Sequence, residues 1–211
     1  GANTTGNNNT AVGRDALGNG TNIDYCVAIG NAALKANTAD YNTAVGSEAL
    51  EANTSGEGVV AMGFRALEAN TTGDKNSAVG YAALQSNNTG DNNTALGRTA
   101  LNANTTADNN TAVGINALVA NTTGGSNVAM GSYALQANTT TSYGVAIGYE
   151  ALGATTVAAQ TAVGYGAMTQ NTTGTGNVAV GYYAKRYGTG HDYCTAVGYE
   201  ALQGVNGYNN A

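Results

Sequence analysis

The chain has 211 residues, with 31 Gly, no Pro, no Trp and one Phe, and its apolar 42% is mostly Ala and Val. Too few bulky side chains are present for a thick core, yet the apolar residues fall at fixed intervals and net charge is only −6, which excludes a disordered tract. With a pI near 4.5 and Lys185-Arg186 as the one adjacent basic pair, nothing neutralises phosphates, so nucleic acid is excluded as a partner. No apolar run approaches membrane-spanning length, so no membrane insertion is expected.

From the N-terminus, Ala2 to Gly6 read as the back half of a repeat whose front is missing. The tripeptide Ala-(Val/Ile/Leu/Met)-Gly then recurs with its Gly at 13, 30, 46, 63, 80, 97, 114, 131, 148, 164, 181 and 198, in nine steps of 17 residues and two of 16. With that Gly as position zero, Ala fills −2 and +3 in all twelve copies, Leu fills +4 in ten (Met168 and Lys185 are the exceptions), and Asn fills +7 in eight. A fixed period this short is the signature of a solenoid. Residues 205–211 stop just before another copy would begin. Residues 1–211 are therefore expected to be one repeat array cut from a longer fibre.

Gly at zero and Asn/Thr/Gly at +7 to +10 leave about six residues between breakers, too few for a helix. The spacing predicts a strand at −4 to −1 and a second near +3 to +6 in every copy. Parallel stacking at roughly 4.8 Å then gives about twelve 16–17-residue coils and a rod about 58 Å long. Strand alternation places −3 and −1 on one bulky side, and Ala at −2 with Gly at zero on a uniformly small one. The small side needs a close neighbour, either the opposite wall of a narrow coil or an adjoining chain. So few apolar side chains per coil against the entropy of ordering it favour an adjoining chain, hence an oligomer.

The Thr/Ser-Ala-Val-Gly segments and Val145-Ala146-Ile147-Gly148, each followed by Ala three residues on, resemble the YadA-like head repeats of trimeric autotransporter adhesins. The longer unit with Asn-Thr-Thr-Gly resembles arrays in phage tail fibres and bacterial surface fibres, although adhesin heads usually have a shorter coil. The resemblance covers essentially the whole chain. It implies a left-handed parallel β-roll, three chains about one axis, and display or attachment on a cell surface or virion. Self-association as a homotrimer, possibly end to end, and a host-surface glycan or protein are the partners implied.

Several columns carry candidate chemistry. Position −6 is acidic at Asp24, Asp40, Glu57, Asp74, Asp91, Asp108 and Asp192. Asp40, Asp74, Asp91 and Asp108 each precede an Asn by two residues, an oxygen set that Ca²⁺ accepts; a turn position bonding nearby backbone N–H groups is the plainer reading. The +7 Asn opens N-x-S/T sequons at Asn53, Asn70, Asn104, Asn121, Asn138 and Asn171. A left-handed turn residue with a stacked amide ladder explains them better than glycosylation. Position +1 is Tyr at 81, 149, 165, 182 and 199; facing outward, Tyr149, Tyr165, Tyr182 and Tyr199 would form a contact stripe for sugar faces, and facing inward they would fill the roll. Cys26 and Cys194 share position −4 ten coils apart, too far to pair within one rod. His191 beside Asp192 falls short of a zinc set, and no catalytic constellation emerges. An ice-binding solenoid, suggested by Thr at +8 and +9, and a glycan-acting depolymerase are the alternative functions.

Overall fold

The computed structural model describes residues 5–187 and 192–203. It is an all-β parallel solenoid of about eleven turns, without helix among the described residues. Each copy contributes one three-residue strand at −3 to −1, from Thr10–Val12 to Thr195–Val197. The twelve strands form one sheet in sequence order, every neighbour parallel. The register is set by the repeat: Ala at −2 faces Ala at −2 along the whole sheet, as in Ala95↔Ala112 and Ala112↔Ala129.

The expected second strand at +3 to +6 is not there. That stretch is a run of turns, and the reason lies in two adjacent side chains. Ala at +3 and Leu at +4 are both buried in nearly every coil, as Ala100 and Leu101 are, whereas a strand would send neighbours to opposite sides. The backbone turns both inward by adopting positive φ at +2 and +4. Leu17, Leu34, Leu50 and the residues that follow them in that column lie at φ 49–54°. A third left-handed position recurs at −5, as at Tyr25, Tyr41 and Lys75.

These turns stack as regularly as the strand. Leu50 N–H donates to Ala66 O at 3.0 Å and Ala52 N–H to Glu68 O at 3.1 Å in the next coil, while Lys75 N–H donates to Glu57 O at 2.9 Å in the preceding one. The backbone ladder thus continues beyond the strand and offsets the left-handed conformations.

Glycine at zero is obligatory for two reasons. Its φ is 129–141°, and from Gly13 to Gly181 a Cβ would lie 2.2–2.7 Å from the carbonyl oxygen of the next such Gly.

The core is a narrow column. Ala at −2, Ala at +3 and Leu at +4 fill it together with buried Asn at +7 and −4. The small side of the strand therefore finds its neighbour within its own coil, correcting the expectation of an adjoining chain there. The bulky −1 side chains face out: Leu96 is 48% and Met130 43% exposed.

Candidate contact surfaces

Buried asparagine at +7 forms one continuous amide ladder. Asn53 Nδ2 donates to Asn37 Oδ1 at 2.6 Å, and Asn70, Asn87, Asn104, Asn121 and Asn138 repeat the bond to the preceding copy at 2.7–3.1 Å. The amide ladder is as expected, but these Asn are not among the positive-φ residues. With the side chain fully enclosed, the sequons at Asn53, Asn70, Asn104, Asn121, Asn138 and Asn171 present no accessible amide in the folded coil.

A second ladder at −4 escaped the sequence reading. Val59 N–H, Asn93 N–H and Asn110 N–H donate to the side-chain oxygens of Asn42, Asn76 and Asn93 at 2.9 Å. Asn at one phase in seven copies was the available signal. Cys26 and Cys194 substitute in this column, both free and buried. Burial pushes the Cys26 thiol above its usual value.

The acidic column at −6 is used by the backbone. Asp40, Asp74, Asp91 and Asp108 accept N–H groups of Asp24, Glu57, Asp74 and Asp91 at 2.7–2.9 Å. The bonds run to the preceding coil, not to the local turn. Their Asn partners Asn42, Asn76, Asn93 and Asn110 are buried inside the coil, where each side-chain oxygen accepts a backbone N–H of the −4 ladder. The structure does not bring the proposed calcium ligands together.

Among the described residues, Glu48, Glu51 and Glu68 place carboxylate oxygens within 4.8 Å of one another. They already have cationic and amide partners: Arg65 Nε lies 2.6 Å from Glu48 and 3.8 Å from Glu68, Lys35 Nζ 3.3 Å from Glu51, and Gln85 donates to Glu68 at 2.6 Å. Lys35, Glu51, Glu68 and Gln85 border an open groove of about 730 Å³ that Ala36, Ala52 and Ala69 also line.

Tyrosines at +1 face outward. Tyr149, Tyr165, Tyr182 and Tyr199 stack ring on ring with centroids 5.1–5.3 Å apart and planes within 16°. One coil per ring sets that spacing. Tyr183 packs edge-on against Tyr165 and Tyr182, and Arg186 lies 4.0 Å over the Tyr183 ring. Stacking occupies the ring faces within the column, so edges and hydroxyls are what it offers. Tyr149 is 39% exposed and Tyr199 73%. The Glu150 carboxylate raises the Tyr149 phenol above its usual value, the Glu200 carboxylate does the same for Tyr199, a hydrogen bond with Tyr183 raises Tyr165, and partial desolvation raises Tyr182.

Thr side chains at +8 bond the backbone. Thr38, Thr54, Thr105 and Thr122 donate Oγ1–H to the +8 carbonyl of the next coil at 2.6–3.1 Å. A hydroxyl bonded that way turns its proton inward and keeps its lone pairs for solvent. His191 lies outside the described residues.

The fold and its surface define a tandem-repeat β-solenoid whose chemistry is drawn out in axial columns. No protein-family model matches the chain, and no curated protein matches it.

Proposed function

We propose that this chain is a rod segment of an extracellular fibre, on a cell surface or virion, working as a homotrimer in structure and attachment and not as an enzyme. The observation that carries this reading is the twelve-stranded in-register sheet, whose backbone ladder runs around each coil and along the axis. Such a body is stiff, grows by whole coils, and repeats each surface group once per coil. The tyrosine column is the attachment stripe of this reading. Ring edges, phenol hydroxyls and the flanking Glu150 and Glu200 carboxylates suit hydrogen bonding to a polyhydroxylated glycan.

Binding of purified protein to immobilised polysaccharides tests the attachment role. Replacing Tyr149, Tyr165, Tyr182 and Tyr199 with Ser leaves the buried ladders intact, so the fold is expected to persist while binding falls at least tenfold. Unchanged binding by that variant removes the column from the function.

A further inference from the structure

The outer face of the sheet combines an absence of charge with a row of exposed aliphatic side chains. The chain carries thirteen acidic and seven basic side chains, and none falls at −3 or −1 in any of the twelve copies. Apart from Arg14 and Arg98 at +1, every charge lies at −6, −5, +2, +4 or +5. The −3 column is Thr, Ser or Val and the −1 column is Val, Ile, Leu or Met. Val12, Ile29, Met62, Val79, Leu96 and Met130 on the −1 column are all exposed.

Size points the same way. Eleven strand spacings make the face about 53 Å long, and three residues of strand make it about 10 Å wide, so it covers roughly 500 Å². An uncharged, largely apolar patch of that size lies near the top of the roughly 300–600 Å² that monomers expose, and such patches are often functional. Depletion of charge is the compositional mark of an interface core.

We infer that this −3/−1 face is where copies of this chain meet, rods side by side with parallel axes. The inference rests on the homo-oligomeric fibre reading and names the surface that it requires. A second copy is the occupant that fits. It carries the same columns at the same coil spacing, so contacts repeat in phase along the whole rod. An uncharged face gives a charged foreign partner nothing to pair with. About a threefold axis, the −3 column of one rod lies against the −1 column of the next, a heterologous contact that closes into a ring.

Light scattering on the full chain tests this through Leu96→Asp combined with Val113→Asp, with Thr72→Asp plus Thr106→Asp at the exposed +9 position as the control pair. The wild type and the control are expected at three times the chain mass, and the face variant at one third of that with an unchanged circular dichroism spectrum. An oligomeric wild type whose face variant stays oligomeric overturns the face and leaves the fibre reading standing. A monomeric wild type overturns both. Should the double aspartate fail to fold, an assembly formed from mixed Thr94→Cys and Leu96→Cys chains decides: oxidation is expected to link residue 94 of one chain to residue 96 of the next, and unlinked chains in an oligomer contradict the inference.

Discussion

At the scale of single residues, the repeat is held by positions where only one chemistry fits. Gly at zero is the sharpest. Alanine at Gly97 would place its Cβ 2.6 Å from Gly114 O at a φ of 136°. Both the backbone strain and the clash act against it, so Gly97→Ala is expected to destabilise the chain by about 3 kcal/mol or more in denaturant unfolding. A loss below about 1 kcal/mol contradicts the close approach between coils.

Lys185 is the converse case, a cation in a column of leucines. It is 3% exposed and donates to Asn171 Oδ1 at 3.3 Å. Burial lowers its proton affinity, partly opposed by Cys194 and Asp192. The unfolded chain then holds the proton more tightly than the folded one, so between the lowered and the ordinary lysine values stability rises with pH. Below that window the buried charge costs its full penalty. Lys185→Leu is therefore expected to gain about 1 kcal/mol or more at neutral pH, after the lost bond to Asn171. The gain shrinks as pH climbs through lysine's titration range, and unfolding curves at several pH values check both. A gain that grows with pH contradicts the assignment.

At the scale of the element, each coil pairs one strand with one run of turns. The strand was legible because Ala-Val-Gly is flanked by breakers and alternates. The turn run was not. Ala16-Leu17 and its copies look like a short strand, and only three-dimensional burial of both neighbours shows that the backbone must turn left-handed at Leu17 and Asp15. Few Leu residues adopt that conformation alone, and local propensity carries no sign of it. Here it is stabilised by bonds to coils above and below, a tertiary effect repeated at each copy. Which strand side faces in was not legible for a related reason. Ala at −2 looks too small for a core until Leu at +4 and two asparagine columns are seen to fill the remaining space. The tyrosine column at +1 was legible as a stripe, while the loss of its ring faces to stacking followed only from the spacing of the coils.

At the scale of the whole molecule, every coil contacts only its neighbours, so stability accumulates along the rod and no central core exists to nucleate a pocket. Polar groups enter the interior without penalty because asparagine amides pair in long ladders. Among buried side-chain nitrogens and oxygens of the described residues, Arg186 Nε alone has no hydrogen-bond partner. Such a body suits transmission of force and repetition of contacts over chemistry at one point. Its outer sheet face and its tyrosine column lie side by side, so the proposed fibre reading has one strip for self-association and the adjoining edge for attachment.

Spin-label distances along one outward column test the central claim most directly. Ser55, Thr123 and Thr173 all sit at +9 and are exposed, four and seven coils apart by the repeat. Labelled pairs diluted into unlabelled protein are expected to give about 19 Å for 55–123 and about 34 Å for 55–173. Distances that do not grow in proportion to the number of repeats between the labels contradict one coil per repeat.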